Sequence, residues 1–182
     1  MAWTKKILRV DLTSGNIESE PLNMEWAQEY LGQRGLATRY LVEEIDPRCD
    51  ALGPENKMIM ATGPLTGTMA STGGRYSVIT KSPLTGAVAC SNSGGFIGAE
   101  MKNAGWDMII FEGKSPTPVY LYVENEKAEL LPADDLWGQS VWAADEMIHQ
   151  NHQDPLIRIA AVGRSAEAGC LYACIINDLH RA

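Results

Sequence analysis

Glycine and proline punctuate one stretch of this chain so closely that they limit how it can fold. Between residues 56 and 99 there are eight glycines, and three short apolar runs lie among them, at 57–62, 75–81 and 86–90. Each run is long enough for a strand, but the connections are too short for repeated helical crossovers. The sequence therefore predicts antiparallel or mixed strand pairing here rather than a parallel sheet.

The same stretch contains no aspartate or glutamate, although the whole protein carries a net charge of −8. Its charged side chains are Lys57, Arg75 and Lys81, and eleven serines and threonines are spread among the glycines. Backbone N–H groups can approach a ligand closely beside glycine, and no carboxylate is present to repel an anion. We therefore expect this part of the chain to face an anionic ligand.

The remaining sequence alternates further strand and helix patterns. Asn23 is a candidate N-cap, and Pro47 closes the second helical segment. The predicted strands are 3–12, 17–20, 107–112, 119–123, 128–131 and 156–162, the predicted helices are 24–31, 36–45, 96–104 and 140–152, and 170–176 could be either. With no linker in the chain, we expect one α+β domain over residues 1–182 with a largely antiparallel or mixed sheet.

A short repeat indicates internal duplication. The tetrapeptide Pro-Leu-Thr-Gly occurs at 64–67 and again at 83–86, each time directly after a predicted strand. Two similar turns in equivalent positions are expected to line the same rim of the sheet.

Composition excludes several classes of function. A pI near 4.9 and the lack of clustered lysine and arginine argue against nucleic acid as a partner. No apolar run approaches the ~20 residues needed to span a bilayer. Arg9 and Asp11 interrupt the apolar residues near the N-terminus, so this segment does not read as a signal peptide, and we expect a cytoplasmic protein.

The cysteines and histidines offer little chemistry. Cys170 and Cys174 have a spacing that would place them on one helix face, but two small apolar residues in a buried segment are the favoured interpretation over a metal site. His149 and His152 fall at the polar end of a predicted helix, where we expect them to be solvated. No catalytic triad or dyad can be assembled from the sequence.

Three features could bind an anionic ligand or its counter-ion, and each has a plainer alternative. The segment Ser93-Gly94-Gly95 lies between a strand and a helix, which suits either a phosphate cradle or a merely tight connection, although it does not match a dinucleotide or P-loop fingerprint. Arg75 could bind an anion or pair with a distant glutamate. Asn92 could offer oxygens to Mg²⁺ or form an Asx turn.

The stretch GPLTGTMASTGGRYSVITKSPLTGAVACSNSGGFIGAEMKNAGWDMIIFEGK, with YLGQRGLA before it and INDLHRA after it, closely resembles the N-terminal domain of the aldehyde ferredoxin oxidoreductase family. These are tungsten or molybdenum enzymes with a bis-pterin cofactor and a [4Fe-4S] cluster. The resemblance implies a domain in which two mostly antiparallel or mixed sheets pack against one another with helices outside. This domain would form the base beneath the pterins. It also implies cofactor contacts from seven positions: Arg75, Asn92, Ser93, Gly94, Gly95, Arg181 and Ala182.

Within that set the resemblance gives distinct roles. Arg75 corresponds to the arginine between pterin and cluster, and the backbone carbonyls of Asn92 and Ala182 correspond to ligands of a Mg²⁺ that joins the pterin phosphates. The cluster cysteines and substrate channel of the family belong to later helical domains, so we expect this chain to be an N-terminal fragment that is inactive alone.

The whole protein would then oxidise aldehydes or related carbonyl compounds to acids and pass electrons to ferredoxin or a similar carrier, with a homodimer possible. The alternative is a stand-alone pterin- or phosphate-binding or assembly module without catalysis. A nucleotide-dependent enzyme is the weaker reading, because the acidic residue that would contact a ribose is missing.

Overall fold

The computed structural model describes residues 2–182, which form ten strands and five helices within that range. The strands are β1 (Lys6–Asp11), β2 (Ile17–Pro21), β3 (Lys57–Thr62), β4 (Tyr76–Lys81), β5 (Val88–Ser93), β6 (Met108–Glu112), β7 (Val119–Glu124), β8 (Lys127–Pro132), β9 (Ala160–Ala161) and β10 (Ile176–Asn177). The helices are α1 (Met24–Tyr30), α2 (Gln33–Glu44), α3 (Ile97–Asn103), α4 (Val141–His152) and α5 (Arg164–Glu167).

The central feature is a six-stranded sheet in the order β2-β1-β6-β3-β4-β5. The β1–β6 pair is parallel, and all its other pairs are antiparallel. The three glycine-punctuated runs become β3, β4 and β5, with β3 pairing to both β4 and β6. The predicted mixed pairing is confirmed, because the short turns permit only antiparallel neighbours among these three strands.

Each face of this sheet buries a separate apolar cluster. On one face, Ile7, Ile59, Ile79 and Ile110 pack beneath α1 and α2. On the other face, Leu8, Val10 and Ile109 pack with Trp106, with Met101 of α3, and with the β7–β8 hairpin. Tyr120 and Tyr122 of that hairpin contact His152 of α4. The layers confirm the predicted α+β fold with packed sheets between helices.

Two helices begin at a side-chain cap, of which the cap at Asn23 was predicted. The side chain of Asn23 accepts a hydrogen bond from the backbone of Trp26 at the start of α1, and Ser140 accepts one from Ala143 at the start of α4. Gly32 precedes α2 and packs against the backbone of β3, where an added Cβ would lie 2.9 Å from the carbonyl oxygen of Thr62. This close approach fixes the N-terminus of α2 beside the end of β3.

The two Pro-Leu-Thr-Gly turns do not line one rim. Gly67 and Gly86 both adopt positive φ, at 73° and 68°, so the turns are locally similar. However, β3 and β4 are antiparallel, with Thr62 opposite Tyr76 and Met58 opposite Thr80. Turns that follow the C-terminal ends of two antiparallel neighbours must lie at opposite ends of the sheet. The expectation of a shared rim is therefore wrong.

The segment after α4 differs most from expectation. The predicted strand 156–162 is reduced to β9, and 170–176 contributes only Ile176 to β10, which pairs with β9. Cys170 and Cys174 are exposed rather than buried. The apolar residues that suggested a buried element also face outward, Leu171 with 71% and Tyr172 with 97% of their surface exposed. Within residues 2–182, no helix has the length and apolar character needed to cross a membrane.

Candidate functional site

The candidate site lies where β4 begins and β5 ends. Ser77 pairs with Asn92 across these strands, and the Asn92 side chain donates a hydrogen bond of 3.3 Å to the Ser77 hydroxyl. The guanidinium of Arg75 donates to Oδ1 of Asn92. Both Arg75 and Asn92 are exposed. The structure thus brings two of the predicted residues into direct contact and places Asn92 in a strand rather than in an Asx turn.

The backbone of Arg75 is held firmly although its side chain is exposed. Its carbonyl oxygen accepts hydrogen bonds from Nε2 of Gln33 at 2.9 Å and from Oγ1 of Thr66 at 3.2 Å. Thr66 Oγ1 in turn accepts a hydrogen bond from the backbone of Gly63. Helix α2 and the first Pro-Leu-Thr-Gly turn therefore fix the position of Arg75. Neither hydrogen bond could be predicted from the sequence, because Gln33 and Thr66 lie in separate elements that only the fold brings to Arg75.

An open depression of about 400 Å³ lies beside this pair. It is lined by residues at the start of α2 and by the side chains of β4 and β5 that face the helices: Gly32, Gln33, Arg34, Gly35, Ser77, Cys90 and Asn92. Arg34 is exposed. The depression therefore has an arginine, hydroxyl and amide lining, and none of the residues that line it is a carboxylate.

The segment Ser93-Gly94-Gly95 connects β5 to α3, as predicted. Ser93 is buried, and its hydroxyl donates a 2.6 Å hydrogen bond to Oδ1 of Asn177. The carbonyl of Gly94 accepts a hydrogen bond from Nδ2 of the same asparagine at 2.8 Å. Gly95 has a φ of +98°, which a side chain would resist, and the turn depends on glycine at this position.

The backbone N–H of Phe96, directly before α3, is already bound by a side chain of the protein itself. The backbone N–H of Phe96 donates to Oδ2 of Asp178 at 2.8 Å, and that carboxylate also accepts a hydrogen bond from Asn177. Because Asp178 binds the first N–H group after the glycines, a phosphate would meet the surrounding arginines rather than this N–H group.

Arg181 reaches the turn from the other side. Its backbone exchanges two hydrogen bonds with Asn177, of 2.8 and 3.0 Å, which makes 177–181 a tight hairpin. An added Cβ on Gly94 would lie 3.7 Å from Nη1 of Arg181, so this side chain covers the glycines. Ala182 follows and is exposed. Within the described residues, no hydrogen bond joins Ala182 to Asn92.

Positive charge gathers at this end of the sheet. Besides Arg75 and Arg181, Arg158 lies at this end, with its guanidinium 4.5 Å from the ring centroid of Phe96. Among residues 2–182, these three arginines and Arg34 form no ion pair. The alternative in which Arg75 pairs with a distant glutamate is therefore absent from the described part of the chain.

Two cations that the sequence assigned to the same anionic ligand lie elsewhere. Lys57 forms ion pairs with Glu44 and Glu112 at 2.8 and 2.6 Å. Lys81 is buried and donates to the backbone carbonyls of Pro47 and Cys49. Both therefore stabilise the fold at the far end of β3 and β4, and that part of the expectation is wrong.

The residues of the site fit a polyanionic cofactor. Glycines keep the turn open to close approach, and the arginines supply positive charge that the chain's own carboxylates do not balance. Burial raises the pKa of Tyr76, whose hydroxyl donates to Asn177, so this phenol stays protonated near neutral pH. In the range 2–182, no cluster of three or more His, Cys, Asp or Glu side chains could hold a metal. A cation here would depend on backbone and amide oxygens.

His152, predicted to be solvated, contacts the hairpin instead. Its ring stacks on Tyr122 with centroids 4.3 Å apart, and its Nε2 lies 3.0 Å from the hydroxyl of Tyr120. His149 lies over its own helix, with Nδ1 2.8 Å from the carbonyl oxygen of Asp145. His152 therefore packs α4 against the β7–β8 hairpin, whereas the contact of His149 lies within α4 itself.

Known proteins are similar to this chain over nearly its whole length. Residues 7–182 match the family model for the aldehyde ferredoxin oxidoreductase N-terminal domain. The chain is 50% identical over 177 residues to a tungsten-containing aldehyde ferredoxin oxidoreductase of Pyrococcus abyssi and 47% identical to that of Pyrococcus furiosus. In both cases the match covers 97% of this chain but 29% of the relative, so the chain spans less than a third of their length.

A solved structure shares the fold throughout. The active-site complex BamBC of benzoyl coenzyme A reductase, determined with 1,5-dienoyl-CoA, matches with a TM-score of 0.94 and 39% identity, covering 97% of this chain and 27% of that one. The family match and the 50% identity together settle the relationship. The chain belongs to the aldehyde ferredoxin oxidoreductase family, and it corresponds to the N-terminal domain.

Proposed function

We propose that residues 1–182 form the cofactor-binding domain of a tungsten- or molybdenum-dependent oxidoreductase. The observation that carries the proposal is the arginine-lined, glycine-rich end of the sheet in a chain of this family. A pterin cofactor with phosphate groups needs positive charge and close backbone approach, and this end of the domain supplies both. The tungsten in the names of the relatives supports the choice of metal.

Each site residue has a defined task in this proposal. Arg75 and Arg181 bind and neutralise the anionic groups, while Ser93, Gly94 and Gly95 let the cofactor approach the backbone. The backbone carbonyls of Asn92 and Ala182 hold a Mg²⁺ that offsets the repulsion between phosphates. Asp178 already occupies the N–H of Phe96, so phosphate binding depends on the arginines and the cation rather than on the start of α3.

For the whole protein we propose oxidation of an aldehyde, or a related carbonyl compound, to the acid. Water supplies the oxygen, and two electrons and two protons leave the substrate. When bound, the metal–pterin group would supply the redox chemistry, and a [4Fe-4S] cluster in another part of the protein would serve electron transfer to ferredoxin or a similar carrier. The residues of this chain bind and orient the cofactor and hold Arg75 beside it.

The test is expression of the full-length protein in medium containing tungstate or molybdate. We expect the purified protein to contain one of these metals together with pterin, and to reduce an electron carrier when given an aldehyde. Active protein that contains neither metal would contradict the proposal. Metal analysis also distinguishes tungsten from molybdenum.

The names of two other similar proteins point to two further substrate classes that the assays should include. The name of the solved BamBC structure refers to a coenzyme A thioester, and a Pyrococcus furiosus relative named an aliphatic sulfonate oxidoreductase, WOR-like subunit, is 37% identical over 75% of this chain. Their identities are lower than the 50% shared with the aldehyde enzyme, which favours aldehydes. Parallel assays with aldehydes, sulfonates and aromatic coenzyme A thioesters would show which class the protein accepts.

A further inference from the structure

The side chain of Asn177 forms four hydrogen bonds, yet the proposed function gives it no task. It is 0% exposed. Its Oδ1 accepts hydrogen bonds from the hydroxyls of Ser93 at 2.6 Å and Tyr76 at 3.2 Å. Its Nδ2 donates to the carbonyl of Gly94 at 2.8 Å and to Oδ2 of Asp178 at 2.9 Å. Every hydrogen-bonding position of the amide is used.

These bonds join the two parts of the candidate site that come from distant parts of the chain. The turn at 93–95 belongs to the sheet, whereas Arg181 and Ala182 belong to the hairpin that begins at Asn177. The backbone of Asn177 bonds to Arg181, and its side chain bonds to the turn. One residue therefore sets the separation and orientation of both parts.

The hairpin is also conformationally strained, which increases its dependence on this anchor. Asp178 and Leu179 have φ values of +47° and +66°, in the left-handed region that non-glycine residues seldom adopt. Asp178 is held there by its carboxylate, which accepts from Phe96 and from Asn177. Without the Asn177 amide, the Asp178 carboxylate would lose one of the two hydrogen bonds that hold it.

We propose that Asn177 is a positioning residue: by clamping the 93–95 turn to the 177–181 hairpin, it sets the geometry in which Arg181 and the turn hold the cofactor. The inference rests on the proposed function, since it needs a ligand between these two parts. The N–H donors of the amide are required, and a side chain of the same shape is not sufficient, because an aspartate of equal size would lose both donors. Its charge would also repel the carboxylate of Asp178 and the carbonyl of Gly94.

The test compares Asn177→Ala and Asn177→Asp with Asn56→Ala in the full-length protein expressed with tungstate or molybdate. Asn56 is the matched control, because its side chain also ties loop to strand, bonding to Ala51 and Lys81. It lies at the opposite end of β3 and β4 from the site. Metal and pterin content per protein and the half-time of cofactor release are measured, with the unfolding free energy of each protein.

Both Asn177 variants are expected to lose cofactor occupancy by about tenfold or more and to release it faster, as supporting partners of a bound group typically do when removed. Asn56→Ala is expected to lose stability while keeping its occupancy. Occupancy of the Asn177 variants within about twofold of the wild type overturns the inference and leaves the proposed function intact. The same holds if occupancy merely follows unfolding free energy across all variants. A wild-type protein without metal or pterin overturns both.

If Asn177→Ala does not fold, Tyr76→Phe replaces it. This change removes a single hydroxyl, which donates to Oδ1 of Asn177, and it leaves the amide and the backbone of the hairpin intact. A fall in cofactor occupancy at unchanged folding supports the positioning role, and unchanged occupancy overturns it.

Discussion

Positively charged side chains have different partners at the two ends of the central sheet. At one end, Arg9 and Lys57 are surrounded by Glu20, Glu44 and Glu112, with nitrogen–oxygen distances from 2.6 to 3.2 Å. At the other end, the arginines around the 93–95 turn form no ion pair within residues 2–182. Helix α2 connects them, since Gln33 at its start binds the backbone of Arg75 and Glu44 at its end binds Lys57.

The difference teaches which charges serve the fold and which serve a ligand. Cations at the first end are matched by the chain's own carboxylates, so they contribute to folding and leave nothing to bind an anion. Arginines at the second end repel one another, which is tolerated where a polyanion later supplies the opposite charge. Substitution of the paired cations at the first end should therefore change stability, and substitution of the arginines at the second end should change ligand binding.

The largest effect on stability is expected from Arg9→Ala. The guanidinium bonds to Glu20 and Glu44, so its loss leaves three partly buried carboxylates with Lys57 alone. We expect the free energy of unfolding to fall by about 3 kcal/mol, measured by urea denaturation. Arg48→Ala is the control, because its pair with Asp46 is exposed and its removal should leave the unfolding free energy nearly unchanged. Equal losses in the two variants would contradict the contrast.

Gly95→Ala should have the next largest effect, at the second end. Its φ of +98° disfavours a side chain, and an added Cβ would collide with the side chains of Asp178 and Asn177. A loss of about 2–3 kcal/mol in unfolding free energy is expected. Gly86→Ala shares the positive φ but meets no atom within 4 Å, so it isolates the backbone cost of about 1 kcal/mol. If both variants lose the same stability, the turn is not clamped by the hairpin.

Local patterns predicted most of this fold, and distant contacts account for what they missed. The cap at Asn23 and the mixed pairing of β3 to β5 follow from short-range chemistry, and the structure confirms them. The partners of Lys57 and Lys81 could not be predicted, because Glu112 and Pro47 are remote in sequence from these lysines.

The site shows the same division between local and distant information. Sequence reasoning found Arg75, Asn92 and the 93–95 turn from their residue types, and the resemblance added Arg181 and Ala182. Asn177 was missed because a single asparagine carries no periodicity or motif. Its buried position could have been suspected only from a fold in which residues 84 positions apart, such as Ser93, become neighbours.

A smaller, graded effect is expected from acid. Burial alone would raise the pKa of Glu44, but hydrogen bonds from Arg9 and Lys57 outweigh it, and the pKa lies below the ordinary 4.5. A lowered folded-state pKa gives stability that is present above 4.5 and lost as the pH falls through the folded-state value. Unfolding free energies measured from about pH 6 down to about pH 3 should therefore decline less in Glu44→Gln than in the wild type. Parallel curves for the two proteins would show that Glu44 does not contribute.

Arg75→Ala should change stability least and function most clearly. The side chain is exposed and bonds to Asn92 alone among the described residues, so the unfolding free energy should change by less than about 0.5 kcal/mol. In the full-length protein, carrier reduction per bound metal should fall by about tenfold or more, because a fixed positive charge beside the redox groups is removed. Arg48→Ala, at the first end, should preserve both quantities. Proportional loss of folded protein and of activity in Arg75→Ala would place this arginine with the structural cations of the first end and remove the distinction between the two ends.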